Sequence, residues 1–415
     1  MRKLDAEILT IGDELNRGEI VDTNSAWLAE ELTRLGAHVR WRTSVTDDAG
    51  DMEEAMRRAA GRARIVVSTG GLGPTDDDRT VDVVAATLGV PTVTDPAHEA
   101  KLVARAAARA FVLTPNNLRQ VRVPQGAKVL GNEKGMAPGF LVELGGSAMI
   151  FMPGVPREMK GIWSDFAVAE VAALVGTGPV TSKRIWRSFG IGESHVDHRL
   201  RGLLDGVADA TLHFRIAYPE TLVTVVVRRP SLVEAEAVLD ALDVEVRTRL
   251  GSHAYATGDQ TLAAALGARL LARGETIAVA ESCTGGMLGQ YLTTVPGSSA
   301  WFPGGIISYA NAVKEGQLGV RSSTLATHGA VSEAVVTEMA LGVRERLGST
   351  WGVAVSGVAG PSGGTAEKPV GTVWLALAGP AGVVTHKVVW PSERELVRTF
   401  AVFSAMHLAW KSLTP

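Results

Sequence analysis

The chain has 415 residues, of which 46% are hydrophobic, with 41 basic and 44 acidic side chains giving a formal charge of -3. At ~150 residues per domain this length suggests about three domains, each with enough apolar material for a core. A grip on duplex nucleic acid across many phosphates usually carries a basic excess, and this balance argues against it, leaving room only for a local basic patch.

The amino-terminal stretch "MRKLDAEILTIGDEL" meets Asp5 and Glu7 before any long apolar run. It lacks the apolar core of a signal peptide, and no later segment is long and apolar enough for a membrane helix, so a cytoplasmic location with no membrane partner is expected. "AEILTIG" is a short apolar run ending at a glycine, and "NSAWLAEELTRLG" places Leu28, Leu32 and Leu35 on one helical face. "VRWRTSV", the helical "DMEEAMRRAAGRA" and the buried-strand run "ARIVVST" follow. Strand, helix, strand, helix, strand predicts a parallel sheet covered on both faces, with ligands gathered at the carboxyl ends of its strands.

That edge carries "VVSTGGLGPTDDDRTVDVVAATLG", where Gly70, Gly71 and Gly73 precede Asp76, Asp77 and Asp78. Acids at the start of a helix can cap free N–H groups and complement the macrodipole, which accounts for one or two of the three. A phosphate cradle followed by carboxylates has a second explanation. The glycines let backbone N–H groups approach phosphate, while the acids hold a divalent cation such as Mg²⁺ against its oxygens. "GDEL" (Asp13, Glu14), "GNEKGMAPGF" (Glu133, Lys134) and "FMPGVPREM" (Arg157, Glu158) supply further acids for metal and bases for phosphate.

"GDEL", "GGLGPT" with its aspartates, "GNEKGMAPG" and "MPGVPREM", in that order, resemble the amino-terminal domain of CinA-like competence/damage-inducible proteins. That domain is itself similar to molybdopterin-binding domains. The resemblance implies metal-dependent ADP-ribose pyrophosphatase activity, giving AMP and ribose 5-phosphate. Carried residue by residue, it implies Asp77, Asp78, Glu14 and Glu158 as metal ligands. It implies Gly70, Gly71, Gly73, Thr75 and Lys134 as substrate contacts.

From residue 166 to 255 the texture becomes that of an α+β module. "KRIWRSFGI" and "TLVTVVVRRP" are predicted strands and "LVEAEAVLDALDVEVRTRLG" a helix, with a short "GIGE" turn and few convergent polar groups. The family's middle module is KH-type, which this pattern fits. Strand–helix alternation resumes beyond residue 256 with the helical "QTLAAALGARLLARGE", the strand "TIAVAE" and the loop-to-helix segment "SCTGGMLGQYLTTV". The expected architecture is therefore α/β in three domains: 1–165 doubly wound and molybdopterin-binding-like, 166–255 KH-type α+β, and 256–415 α/β.

In the last domain "AESCTGG" presents Ser282, Cys283 and Thr284 at a strand-to-helix turn, where backbone N–H groups suit an oxyanion or a phosphate. Tight turns between strands would also explain such glycine- and serine-rich loops. Cys283, the one cysteine, excludes an intramolecular disulfide and fits a reducing compartment. As a nucleophile it has no histidine nearby in sequence, and a buried apolar role is the alternative. Lys314, close to Tyr309 in a lysine-poor region, is a candidate base toward a serine.

"AESCTGG", "GSSAWF", "GAVSE", "SGVAGPSGG" and "KPVGTVW" also match the CinA family and resemble nicotinamide mononucleotide deamidases. The resemblance implies metal-free hydrolysis of nicotinamide mononucleotide to nicotinate mononucleotide and ammonia. It implies Ser282, Ser299, Tyr309, Lys314 and Ser356 as catalytic residues, with Ser282 and Ser299 both open as nucleophile. Thr284, Gly285, Gly286, Gly357, Gly360 and Arg394 are the implied substrate contacts, and a homodimer is the implied assembly. Two rival readings compete with these: a pterin-handling enzyme at the amino-terminal site, and a non-enzymatic DNA uptake or repair accessory using the bases of the middle module.

Overall fold

The computed structural model describes residues 5–110, 112–176 and 178–413. The chain forms two compact units, Met1–Ser182 with Arg228–Glu236 and Lys183–Val227 with Ala237–Pro415. No helix among the described residues is long and apolar enough to cross a membrane.

In the first unit, Asp5–Ile11 (β1) is buried at every position, because helices cover both faces of its sheet. Ala6 and Ile8 join Leu28 and Leu32 of the helix Thr23–Arg34 on one face. Leu9 and Ile11 join Met52 and Met56 of the helix Ala49–Arg62 on the other. β1 pairs in parallel with His38–Val45 (β2) on one side and Ile65–Thr69 (β3) on the other. Thr92–Thr94 (β4) and Arg122–Pro124 (β5) form a separate antiparallel ribbon. Lys128–Leu130 (β6), Gly139–Leu144 (β7) and Ser147–Met152 (β8) complete a six-stranded sheet of order β2-β1-β3-β8-β7-β6.

The sheet is parallel from β2 through β8, as the alternation of elements predicts, and antiparallel beyond it. The antiparallel part has a local cause. Gly145 and Gly146, the two residues between β7 and β8, both have positive φ (59° and 82°), the requirement of a tight two-residue hairpin. Because β2 and β3 flank β1, the chain leaves β1 and β3 in opposite directions, and a crevice opens at their carboxyl ends.

The second sheet has the order β10-β11-β9-β12, made of Val180–Ser188 (β9), Ala210–Ala217 (β10), Glu220–Arg229 (β11) and Ala254–Thr257 (β12). Helices Glu193–Leu200 and Leu232–Leu250 complete the α+β module.

The third sheet has the order β14-β13-β15-β16-β17. Ile277–Glu281 (β13) pairs in parallel with Gly304–Ile307 (β14) and Trp351–Gly357 (β15), so a second switch point falls at the carboxyl end of β13. Thr372–Gly379 (β16) and Gly382–Val389 (β17) extend it antiparallel. One face is large and apolar: Ile277, Val279, Val353 and Val355 meet the final helix Arg394–Ser412. The other is built from Ala278, Ala280, Ala354, Ala376 and Ala378, small enough for the helix Glu333–Arg346 to lie close.

One expectation changes. The helix behind the first glycine loop spans Thr80–Leu88, with Arg79 at its N-cap and no capping side chain. The three aspartates precede the helix and do not cap it.

Candidate functional sites

A cleft of about 640 Å³ occupies the crevice at β1 and β3. Glu14, Gly70, Gly71, Gly73, Asp77, Asp78, Lys134 and Glu158 all line it. The glycines are steric requirements. At Gly70 (φ 117°) a Cβ would run into the Ile11 carbonyl, and at Gly71 (φ 64°) into the Thr80 hydroxyl. Thr75 does not line the cleft; its backbone N–H (2.9 Å) and hydroxyl (2.5 Å) donate to Asp78 Oδ2. Asp78 thus fastens the loop, while Asp77 is exposed. Thr75 and the amides of Asp77 and Asp78 hold the Asp77 carboxyl below its ordinary value.

Asn132, 1% exposed, organises the loop that carries Lys134 and was not singled out by the sequence. Its Oδ1 accepts from the backbone N–H of Lys134 (3.0 Å) and Gly135 (2.7 Å). Its Nδ2 donates to the Ala137 carbonyl (2.8 Å) and to Glu158 Oε2 (2.7 Å). The Asn132 backbone N–H donates to His98 Nε2 (3.3 Å), so the proton of His98 sits on Nδ1 and points to Asp95 (2.7 Å). This network presents Lys134 and Glu158 together.

Asp47 is a second residue that sequence spacing missed. It trades backbone bonds with Asp13: the Asp13 N–H donates to Asp47 Oδ2 (2.9 Å) and the Asp47 N–H to Asp13 Oδ1 (3.1 Å). Burial pushes its carboxyl up, and the acids Asp13, Glu14 and Asp77 add to this against the bond from the Asp13 amide. The cleft lining thus combines the acids Glu14, Asp47, Asp77, Asp78 and Glu158 with the bases Lys134 and Arg105. Among the described residues no group of three or more His, Cys, Asp or Glu side chains could by itself hold a metal ion. These residues fit a cation held by one or two carboxylates and completed by phosphate and water, not a cage of protein ligands.

The second site lies at the end of β13. Lys314, 1% exposed, sends Nζ to Ser282 Oγ (3.1 Å), the Ser308 carbonyl (2.6 Å) and the Tyr309 carbonyl (3.1 Å). Burial pushes its amine below the ordinary lysine value. Ser308 is fixed in turn by its own N–H, which donates to the Glu281 carbonyl (2.7 Å). The Glu281 side chain accepts from the N–H groups of Gly286 (3.0 Å), Leu288 (3.0 Å) and Gly289 (2.8 Å), pinning the turn that carries Ser282. Gly285 and Gly286 take positive φ there (60° and 98°). Among the described residues no backbone carbonyl accepts from the N–H groups of Cys283 and Thr284, and the buried Thr284 hydroxyl has no hydrogen-bond partner.

The remaining implied residues divide. Arg394 donates to the Gly360 carbonyl (2.8 Å) and reaches the exposed Tyr309 hydroxyl (3.4 Å), which brings three of them together. A Cβ at Gly357 would meet Val373 and the Thr372 carbonyl, so that glycine allows a close strand crossing. The buried Ser356 hydroxyl donates to the Ala330 carbonyl (2.7 Å). Ser299 is exposed in the turn Ser298–Ala300. Among the described residues no hydrogen bond ties either serine to Lys314. Burial pushes the Cys283 thiol up to about 12, the opposite of an activated nucleophile. Arg398, absent from the sequence expectations, donates to the Thr284 carbonyl (2.8 Å) beside Ser282.

Residues 7–173 match the family model of a probable molybdopterin binding domain, 183–256 that of the damage-inducible protein CinA KH domain, and 259–413 that of the CinA C-terminal domain. A CinA-like protein of Anaeromyxobacter sp. (strain Fw109-5) is 44% identical over 412 residues, covering 98% of each chain. A CinA-like protein of Synechococcus elongatus is 39% identical over 411 residues, covering 98% of this chain and 97% of its own. The solved structure of the protein CinA with unknown function from Thermoplasma acidophilum is 34% identical, covering 40% of this chain and 98% of its own with a TM-score of 0.37. With its three α/β domains and a match over nearly its whole length, the chain belongs to the CinA-like family.

Proposed function

We propose that the carboxy-terminal domain hydrolyses the carboxamide of nicotinamide mononucleotide, with Ser282 as nucleophile and Lys314 as its base. The supporting observation is the 3.1 Å contact between Lys314 Nζ and Ser282 Oγ in a buried setting that favours the neutral amine. A neutral amine has two N–H bonds and one lone pair. The Ser308 and Tyr309 carbonyls take the two N–H groups, which leaves the lone pair for the Ser282 proton.

The reaction then balances as two acyl transfers. Oγ attacks the carboxamide carbon and its proton passes to Nζ. The developing oxyanion is taken by the N–H groups of Cys283 and Thr284. Collapse breaks the C–N bond, and the proton on Nζ leaves with ammonia. Water, deprotonated by the same amine, then cleaves the ester to nicotinate mononucleotide and frees Ser282. Tyr309 orients the ring, and Thr284, Gly285, Gly286, Gly357, Gly360 and Arg394 receive the rest of the nucleotide. Ammonia release from nicotinamide mononucleotide by the full chain tests this; silence in both EDTA and Mg²⁺ would refute it.

For the amino-terminal cleft we propose hydrolysis of the diphosphate of ADP-ribose to AMP and ribose 5-phosphate. Asp77, with Glu14, Glu158 and Asp78 in reach of the same cleft, would hold a divalent cation such as Mg²⁺, which when bound neutralises phosphate charge and acidifies water. The glycine loop receives phosphate on its backbone and Lys134 supplies positive charge. The match of residues 7–173 to a molybdopterin-binding model favours a second reading, a pterin nucleotide as ligand. Binding of ADP-ribose against a pterin nucleotide at fixed Mg²⁺ separates the two. A nucleic-acid role finds less support. The glycine-containing turn of the middle module, Gly190-Ile191-Gly192-Glu193, ends on an acid, which disfavours a phosphate backbone there.

A further inference from the structure

The β10–β11 hairpin of the middle module reaches two segments that support the Ser282–Lys314 site. Tyr218 sits at the hairpin tip. Its hydroxyl donates to the Leu396 carbonyl (2.6 Å), in the first turn of the helix Arg394–Ser412. Its ring stacks on Trp390 (centroids 5.2 Å, 19° between planes), and Trp390 stacks on Phe400 of that helix (5.0 Å, 20°).

The hairpin is a firm support. Glu220 beside it, 7% exposed, takes Nε (2.9 Å) and Nη2 (2.7 Å) of Arg187 and also accepts from the Tyr255 hydroxyl. What it supports is functional. The helix start carries Arg394, bonded to Gly360 and Tyr309, and Arg398, bonded to the carbonyl of Thr284. The Trp390 N–H donates to Gly371 (3.0 Å), whose N–H donates to Val358 (2.8 Å) in the Gly357–Gly360 loop. A Cβ at Gly371 would run into the Trp390 carbonyl, so this crossing has no slack.

We infer that the middle module works as a clamp on the deamidase site, with Tyr218 as a positioning residue for Arg394, Arg398 and the Gly357–Gly360 loop. It holds the residues that receive the nucleotide. It does not touch the Ser282–Lys314 pair, which is fixed by Ser308 and Tyr309 within its own domain. The activity arm of this inference rests on the amide-hydrolysis reading above; the structural arm does not.

The test uses Tyr218→Phe and Tyr218→Ala in the full chain, with steady-state ammonia release and hydrogen exchange of residues 390–400. Tyr218→Ala loses bond and stack, and KM for nicotinamide mononucleotide should rise about tenfold with kcat within about threefold. Tyr218→Phe keeps the stack, so its KM should rise by only about threefold. Exchange at 390–400 should quicken in Tyr218→Ala and be largely rescued in Tyr218→Phe. Unchanged exchange in Tyr218→Ala overturns the clamp, as does a loss of kcat at constant KM. If the natural protein releases no ammonia but exchange quickens, the clamp stands and the amide-hydrolysis reading falls. Tyr218→Phe keeps the test decisive should the alanine variant fail to fold.

Discussion

Lys314 and Ser282 are 32 positions apart in the chain and 3.1 Å apart at Nζ and Oγ, with the lysine buried on the helix Asn311–Leu318 and the serine directly after the parallel strand β13. Burying an amine without a carboxylate partner costs stability, and its amine is correspondingly pushed toward the neutral form. Such an arrangement is expected where the neutral amine has work to do. Among the described residues Ser299 and Ser356 have no hydrogen bond to it, and Ser282 is the serine proposed as nucleophile.

Cys283 lies next to Ser282 in sequence and is the obvious competitor. With its thiol pushed up to about 12, the thiolate fraction at pH 7 is on the order of one in 10⁵. Cys283→Ala should keep kcat/KM for amide hydrolysis within about threefold while losing about 1 kcal/mol of stability to the small cavity. Steady-state assay and thermal melting of the variant check both numbers. A folded variant without activity would return the cysteine to the mechanism.

Asp77 and Asp78 are adjacent but do different things. Asp78 accepts two bonds from Thr75 and fastens the loop, whereas Asp77 is exposed on the cleft wall. Asp77→Asn should abolish Mg²⁺-dependent ADP-ribose hydrolysis, leave ammonia release intact and change stability by less than about 0.5 kcal/mol. Asp78→Asn should weaken the loop by about 1–2 kcal/mol, seen as faster exchange at residues 73–79. Equal loss of both activities in Asp77→Asn would contradict the assignment of the aspartates to the amino-terminal cleft.

His407 predicts an acid-sensitive second unit. It is 5% exposed, its Nε2 faces the Ser252 carbonyl at 3.2 Å, and His253 lies beside it. Burial, with Lys411 adding, pushes it down to about 3. Below its ordinary value the unfolded chain binds a proton that the folded protein refuses. Stability is therefore full above about pH 6.5 and falls toward pH 3, at about 1.4 kcal/mol per pH unit for this group. Denaturant titrations at pH 7 and pH 5 should differ by about 2 kcal/mol more in the natural protein than in His407→Gln. An equal pH dependence in the two proteins would show that His407 does not report the difference.

Much of this architecture was legible because it is periodic or steric. Leu28 and Leu32 announced their helix, the run Ile65–Thr69 its strand, and the glycine loops the turns that follow β3 and β13. The antiparallel half of the first sheet was not foreseen, although its Gly145-Gly146 hairpin turn stood in the sequence as a two-residue signal. The aspartates read as helix caps because acids often precede helices, but the helix begins only at Thr80. Asp47, Asn132 and Arg398 escaped for another reason. Each works by bonding a backbone group or side chain far away in sequence, and no local spacing encodes that. Ser308 contributes a carbonyl, which any residue could supply, so its type carried no signal.

The most direct measurement is ammonia release from nicotinamide mononucleotide in excess EDTA as a function of pH, for the natural protein, Ser282→Ala and Lys314→Met. The predicted result is brisk release without metal, with kcat/KM rising along a limb whose midpoint lies below the ~10.4 of an ordinary lysine. Both variants should lose roughly 10³-fold or more while remaining folded. Near-normal turnover by Lys314→Met, or release that vanishes in EDTA and returns with Mg²⁺, would contradict the account.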